Sequence, residues 1–194
     1  MIRFVALALV VFVSACQTAY KDGQPNEDSP YYEVPVDSKL ILHRDLAIPA
    51  RTDIIYLQRG QIVSKHYQVN RWGTYCELEL SRKRDVPQTI EADEFDIYKV
   101  KQETVFGDGG FIQLASRGVG FGGVAGIMRG SDGHRLYEVV ATRMALRSER
   151  QPGVQALICA SWKPAQAMSY LTIRKLRDTL GDIFTLQLAQ GAPG

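Results

Sequence analysis

The sequence predicts a mainly β domain, an antiparallel β-sandwich or barrel-like sheet with one short C-terminal α-helix, after a signal peptide and a flexible tether. Three observations support this prediction. The chain opens on a short apolar segment, and the body is divided into short runs rich in β-branched and aromatic residues, bounded by Gly, Pro, Asp or Ser. One stretch near the C-terminus has helical periodicity. Strands without long intervening helices favour an antiparallel architecture.

The opening segment has the order of a secretory leader. Arg3 supplies a positive charge, residues 4–13 form an uninterrupted apolar run, and small residues follow up to Cys16. The apolar run is ten residues long, whereas a helix needs roughly 20 residues to span a bilayer. We therefore expect residues 1–15 to be an export signal and not a permanent span.

The last four residues of this leader, Val13-Ser14-Ala15-Cys16, resemble the lipobox of bacterial lipoproteins. In that family the cysteine is lipidated and becomes the first residue of the mature chain, so the resemblance implies a lipid anchor on Cys16. Gln17 stands where lipoproteins of the inner membrane usually carry Asp. The resemblance therefore implies the outer membrane of a Gram-negative bacterium, with the domain facing the periplasm. The alternative is ordinary secretion after cleavage at the same bond.

The body has a resemblance of its own. The stretches DIIYLQRGQIV, YCELELSRKRDVPQTI, ALRSERQPGVQALICASW and IRKLRDTLGDIFTL are similar to uncharacterised proteobacterial outer-membrane lipoproteins. That resemblance implies an envelope location and no particular activity.

Length and charge set the organisation of the chain. A formal net charge of +2 over 194 residues argues against a nucleic-acid-binding protein. Residues 16–38 are polar and proline-containing and have no periodicity, which predicts a lipidated N-terminus and flexible tether. Residues 39–188 are expected to form a single β domain, and residues 189–194 a disordered tail.

The cysteine count predicts a disulfide. If Cys16 carries lipid, Cys76 and Cys159 remain as a pair, and such pairs are expected to bridge in an oxidising compartment. The alternative is two buried free thiols, because cysteine is also a good small core residue. Neither cysteine has a second Cys or His at ligand spacing, so no metal site or cofactor is expected.

The clearest strand pattern lies at residues 75–80. Its alternation predicts that Cys76, Leu78 and Leu80 face the core while Glu77 and Glu79 face solvent. Further strands are predicted over 40–42, 53–57, 61–64, 95–100, 111–115, 136–147, 154–162 and 183–186.

The helix is predicted after Thr172. Thr172 is a suitable N-cap, Ile173, Leu176 and Leu180 fall on one stripe, and Gly181 follows as a C-cap.

Basic residues of the same segment lie off that stripe. We interpret Arg174, Lys175 and Arg177 as a solvated face. The alternative is contact with anionic lipid or with lipopolysaccharide phosphates.

The glycine-rich segment at 107–133 contains ten glycines. It includes a G-x-G-x-x-G match, but the helix that a dinucleotide site requires does not follow, and its uncharged run is too short to span a membrane. We expect a loop between strands, whose best functional interpretation is contact with a partner protein. The expected contact residues are apolar: Phe111, Phe121, Val124, Ile127 and Met128.

Two tryptophans flank the predicted bridge in sequence. Trp72 and Trp162 lie within four residues of Cys76 and Cys159. Because a Trp packed on the disulfide is common in β-sandwiches, we expect a structural role here. Carbohydrate stacking is the alternative.

No catalytic constellation stands out. The three histidines, His43, His66 and His134, fall in no known metal or nucleophile motif. The densest group of acids, residues 91–96, lacks the spacing of a calcium loop and is interpreted as a solvated turn.

The sequence thus predicts a non-catalytic protein rather than an enzyme. It favours an outer-membrane lipoprotein that acts as an envelope binding or assembly accessory through protein–protein contact. The alternative function is a periplasmic carrier of a small lipid or glycan ligand. A hydrolase built from dispersed histidines and acids is a third alternative.

Overall fold

The structure is a computed structural model that describes residues 19–21, 24–107, 137–164 and 169–189. Twelve strands and one helix are described: β1 (Tyr20–Lys21), β2 (Gln24–Pro25), β3 (Lys39–Leu42), β4 (Leu46–Ile48), β5 (Ile54–Gln58), β6 (Gln61–Val63), β7 (Tyr75–Leu80), β8 (Gln88–Ile90), β9 (Asp93–Gly107), β10 (Tyr137–Arg147), β11 (Val154–Pro164), α1 (Ile173–Leu180) and β12 (Phe184–Gln187). The predicted signal peptide, Cys16 and most of the predicted tail lie outside the described residues.

One antiparallel sheet organises the domain. Its eight strands lie in the order β12-β3-β9-β10-β11-β7-β5-β6, and the antiparallel pairs β1-β2 and β4-β8 form two small separate sheets. This confirms the mainly β, antiparallel prediction and its single short helix. β4 and β8 were not predicted, and the predicted strand at 111–115 lies outside the described residues. Within those ranges, no helix is both long and apolar enough to cross a bilayer.

The helix α1 closes the sheet into a curl. It contacts β12 at one edge of the sheet, and also β5 and β7 near the other edge. A flat sheet could not bring these strands to the same helix, so the sheet must bend around it. As predicted, the Thr172 side chain accepts a hydrogen bond from the Lys175 backbone N–H at 3.3 Å, and Gly181 caps the C-terminus.

The main core fills the inside of this curl. It combines Phe95, Met144 and Leu78 from the sheet with Leu176 from α1 and Phe184 from β12, all at most 2% exposed. Burial of each large apolar side chain contributes roughly 1.5–3 kcal/mol. The core therefore depends on α1 and the sheet being in place together.

The outer face of the sheet is also buried over β7 and the middle of β10 and β11, which corrects one prediction. Glu77 and Glu79 alternate with the core residues of β7 as expected, but they are only 3% and 4% exposed. Glu79 accepts a 2.6 Å hydrogen bond from Arg143, which lies on β10 beyond the intervening strand β11. The small side chain of Ala156, opposite Glu79 on β11, leaves room for this contact. The alternation was predicted correctly, but solvent exposure was not.

The predicted bridge is present between β7 and β11. The Cys76 and Cys159 sulfur atoms are 2.06 Å apart, and the two residues face each other directly in the strand register. Both belong to the inner core and are fully buried. The bridge therefore joins adjacent strands at the centre of the sheet.

The segment before β3 is packed against the domain, whereas composition predicts a flexible tether. Tyr32 is 8% exposed and belongs to the main core. Asp28 forms an ion pair with Arg174, and Glu27 forms one with Arg177, both on α1. Arg174, Lys175 and Arg177 are all exposed, as the solvated-face interpretation predicts, and the two arginines also pair with acids of this segment. Composition predicted a flexible segment because it does not show which few residues, such as Tyr32, pack it against the domain.

The longest strand, β9, carries a bulge and an open edge. Ile97 pairs with Leu146 and Lys99 pairs with Ala145, so Tyr98 is an extra residue on β9. On its other side, β9 pairs with β3 through only its first four residues. Among the strands that the structure describes, none covers the rest of that edge.

Two glycines allow the closest approach between α1 and the sheet. Gly181 follows α1 with φ of +54°, and a Cβ there would lie 2.4 Å from the Gly60 Cα in the β5–β6 turn. The Gly60 N–H donates to the Thr179 carbonyl at 3.0 Å. Because this backbone contact leaves no space for a side chain, closure of the curl requires glycine at position 181.

We expect Gly181→Ala to lower the free energy of unfolding by about 2–4 kcal/mol, through left-handed strain and the backbone clash. Gly153→Ala is the control, because a Cβ there meets its nearest atom at 3.7 Å; its effect should stay within about 1 kcal/mol. Urea unfolding measures both. Equal stabilities for the two variants would contradict the proposed role of the contact.

Candidate partner-binding surface

The aromatic loop, residues 65–72, connects β6 to β7 and is held in place by hydrogen bonds. The Gln58 side chain donates to the Asn70 carbonyl at 2.7 Å and accepts from the Asn70 N–H at 3.0 Å. The Trp162 backbone N–H donates to the Arg71 carbonyl at 2.8 Å, which joins the loop to β11. Val69 packs into the apolar cluster on the outer face of the sheet, which includes Tyr75, Ile158 and Trp162. The loop is therefore fixed to the sheet at several points.

This fixed loop presents two large aromatic side chains to solvent. Tyr67 is 66% exposed and Trp72 is 54% exposed. Exposed Trp and Tyr on a held backbone lose little conformational entropy on binding, and both are enriched among the residues that dominate interface energies. The loop thus has the chemistry of a binding surface.

Trp72 packs on a second tryptophan, Trp162. The Trp72 and Trp162 rings pack edge to face, with centroids 6.4 Å apart. The sequence predicts a structural role for both tryptophans. Trp162 has one, because it is only 6% exposed and belongs to the apolar cluster on the outer face of the sheet, whereas Trp72 is 54% exposed. Trp162 lies three positions after Cys159, an odd number, so the two side chains lie on opposite faces of β11 and Trp162 is not on the disulfide face.

Cations accompany the aromatic rings. The Lys65 ammonium is 5.6 Å from the centre of the Tyr67 ring, and the Arg71 guanidinium is 5.3 Å from that of Trp162. Such cation–π contacts stabilise each pair by about 0.5–1 kcal/mol at exposed sites. Lys65 places positive charge beside the exposed Tyr67 ring, and Arg71 places it over the buried Trp162 ring that packs on Trp72, which suits a partner surface with carboxylates or backbone carbonyls.

The tyrosines beneath the loop stay neutral at physiological pH. Burial, together with the nearby Glu77 charge, raises the pKa of Tyr56 to about 12 and raises that of Tyr75 further. The floor of the surface therefore carries no phenolate charge, and its rings act as apolar and hydrogen-bonding groups.

The residues that the sequence assigned to partner contact fall elsewhere. Phe111, Phe121, Val124, Ile127 and Met128 lie outside the described residues, as does the lipidation residue Cys16. The aromatic loop was not among the sequence-predicted contacts.

Groups considered for catalysis or metal binding have other partners. His43 bonds to the Thr185 hydroxyl at 2.7 Å. Burial disfavours the charged form of Asp93, but hydrogen bonds from Ser148 and the Glu94 N–H, with nearby Arg150, hold its pKa below the usual value. In the part of the chain that the structure describes, no cluster of three His, Cys, Asp or Glu side chains suits a metal ion.

The inner face of β10 carries buried polar groups without partners. Both carboxylate oxygens of Glu138 and the hydroxyl of Thr142 are buried, and neither has a hydrogen-bond partner in the described structure. Across the strands lies Lys163, whose charge interacts with Glu138, but its ammonium donates its hydrogen bonds to the carbonyl and hydroxyl oxygens of Ser169. An unpaired buried polar group costs about 1–3 kcal/mol, so this feature calls for an explanation.

Comparison with known proteins gives no relative. No known family, curated protein or solved structure matches the chain. The geometry of the aromatic loop and of the interior polar group must therefore carry any functional assignment.

The different exposure of Tyr67, Trp72 and Trp162 predicts how much each ring contributes to the free energy of unfolding. Tyr67→Ala should change the free energy of unfolding by less than about 0.5 kcal/mol, and Trp72→Ala should lower it by about 1 kcal/mol through its lost ring contact. Trp162→Ala, which empties a buried position, should lower it by about 3–5 kcal/mol. Urea unfolding distinguishes these values. A loss at Trp72 as large as that at Trp162 would mean that Trp72 is a core residue and not a binding residue.

Proposed function

We propose that this protein is an outer-membrane lipoprotein, anchored through Cys16, whose β domain faces the periplasm and binds a protein partner of the cell envelope. It acts as a binding or assembly accessory and not as an enzyme. The aromatic loop is its contact surface, and the expected partner offers an apolar pocket flanked by acidic or carbonyl oxygen atoms.

One observation carries the binding function: Tyr67 and Trp72 are more than half exposed on a loop that is hydrogen-bonded to the sheet. Large aromatic side chains gain nothing from exposure to water, so their presence on a solvated loop favours a binding role. If the loop were disordered, ordering it would cost entropy on binding, and the hydrogen bonds to the sheet reduce that cost. The neighbouring cations of Lys65 and Arg71 supply the polar rim that interfaces commonly have.

Two observations support the envelope location. The Val13-Ser14-Ala15-Cys16 resemblance supports lipidation, and a buried disulfide suits an oxidising compartment outside the cytoplasm. Anchoring also favours an accessory role, because confinement to one membrane raises the effective concentration of a weakly binding surface.

The binding function predicts the result of an in-cell crosslinking pulldown with the full lipoprotein. A Tyr67→Ala/Trp72→Ala double variant should recover its main envelope partner roughly tenfold less than the parent, as expected for loss of two interface anchors. Quantitative mass spectrometry of the crosslinked material measures the loss. The variant keeps the fold, because both side chains are exposed.

A matched control is Tyr98→Ala, which removes a tyrosine that is 50% exposed on β9. It should leave the captured set unchanged. Equal recovery by the double variant and this control would contradict binding through the aromatic loop. Loss only after deletion of residues 118–130 would instead favour contact through the glycine-rich segment.

The interior polar group favours a second candidate function, carriage of a small ligand. The rest of the core is filled by apolar side chains, so the unpaired acceptors of Glu138 and Thr142 favour a hydroxyl-rich ligand, such as a glycan fragment, over a lipid. Such a ligand would supply the donors that these oxygens lack.

A pair of buried glutamates tests this second candidate. Glu138→Gln should leave the free energy of unfolding unchanged or raise it by about 1–2 kcal/mol, because it replaces a buried carboxyl group that accepts no hydrogen bond in the described structure. Glu79→Gln is the control: it weakens the ion pair with Arg143 and should lower the free energy by about 1–3 kcal/mol. Urea unfolding of both variants gives the comparison.

Equal losses in the two variants would mean that Glu138 already has a partner within the protein, and the carrier function would lose its basis. If Glu138→Gln is instead as stable as predicted, calorimetry compares oligosaccharide binding by this variant with binding by the parent protein.

A further inference from the structure

The distance between the anchor and the folded body is very short. Only Gln17 and Thr18 lie between Cys16 and Ala19, and the Ala19 carbonyl accepts a hydrogen bond from the Asn26 N–H at 2.9 Å. Three consecutive chain steps span at most about 11 Å. A lipid on Cys16 would therefore lie close to the start of the described structure.

That start is fixed to the rest of the domain. The Tyr20 ring packs edge to face on Tyr32, with centroids 5.8 Å apart, and Tyr32 is in the main core. The Glu27 carbonyl accepts from the Arg174 N–H, so the same segment is hydrogen-bonded to the first turn of α1. Since no long tether separates lipid from domain, the surface around these residues must face the membrane.

The composition of this surface suits phospholipid headgroups. Tyr20, Tyr31 and Tyr170 are 52%, 65% and 36% exposed, and tyrosine is enriched at membrane–water interfaces. Lys21 and Lys175 are exposed beside them. Basic residues near a membrane gain about 1 kcal/mol each from anionic lipids.

Electrostatic contacts indicate that these residues lie together. The Lys21 charge acts on Asp28, which pairs with Arg174, the neighbour of Lys175 in α1. On the other side, burial lowers the pKa of Lys163 and the Lys175 charge lowers it further. Lys163 donates to Ser169, which precedes Tyr170 in the chain. Lys21 and the segment that carries Tyr170 therefore lie near Arg174 and Lys175 in the first turn of α1, and Tyr20 and Tyr31 belong to the N-terminal segment that is bonded to the same turn.

We infer that the anchor-proximal surface, formed by Tyr20, Lys21, Tyr31, Tyr170 and Lys175, lies directly on the phospholipid headgroups of the membrane that holds the lipid. This inference rests on lipidation of Cys16 in the proposed function. The domain is thereby held in one orientation against the bilayer, and the short link enforces that orientation.

Photo-crosslinking to lipid tests the inference. Benzoylphenylalanine is placed at Tyr31 or, as a control, at Tyr67, which has nearly the same exposure, 65% against 66%. The full lipidated protein is reconstituted into vesicles of phosphatidylethanolamine and phosphatidylglycerol and irradiated. We expect several-fold more lipid adduct from position 31 than from position 67. Equal yields would overturn the inference.

A spacer variant tests the role of the short link. About fifteen Gly and Ser residues inserted after Thr18 add roughly 20 Å of flexible chain. The lipid adduct at position 31 should then fall toward the level at position 67. An unchanged adduct would show that chain length does not enforce the contact.

The same samples separate this inference from the proposed function. Mass spectrometry of the N-terminal peptide reports whether Cys16 is acylated. An unmodified Cys16 would overturn the proposed anchor and the inference with it. An acylated Cys16 with equal adducts at the two positions would overturn the inference alone.

Discussion

The apolar face of α1 lies across the open side of the curled sheet, and the rest of the structure depends on that packing. It brings strands from both edges to one core and places Gly181 against Gly60, where only backbone atoms fit. It also presents Arg174 and Arg177 to the N-terminal segment. An eight-residue helix would be marginal alone. Here tertiary burial stabilises it, and it in turn fixes the curl and the N-terminal segment.

The sheet is buried on its inner face and, over β7 and the middle of β10 and β11, on its outer face as well, and the two faces satisfy their buried carboxylates differently. On the outer face, Arg143 crosses β11 to reach Glu79, so a buried carboxylate forms an ion pair. On the inner face, the Glu138 oxygens accept no hydrogen bond in the described structure, and the nearby Lys163 ammonium donates to Ser169 instead. Buried polar groups in folded proteins are nearly always hydrogen-bonded, so Glu138 is an exception to the pattern that Glu79 follows.

The local sequence pattern predicted most of the fold, because strands and helix caps depend mainly on residues that are close together in the sequence. The α1 boundaries at Thr172 and Gly181 and the alternation of core-facing residues along β7 follow from such patterns. Exposure did not follow: a glutamate on an alternating strand looks solvated until a distant Arg143 covers it. The aromatic loop was also missed, since the sequence KHYQVNRW shows rings and cations but not which of them Val69 and Gln58 hold outward. These outcomes depend on contacts between residues far apart in sequence.

The edge of β9 that no described strand covers has a consequence wherever many copies of the chain lie close together. An uncovered strand edge is a template for pairing with the same edge of a neighbouring molecule. The Tyr98 bulge interrupts the regular spacing of backbone donors and acceptors along this edge. Lys99 adds an exposed charged side chain there, and Lys101 forms an ion pair with Glu103 on the same strand. We expect the bulge and these charged side chains to hinder extension of the sheet along its longest strand.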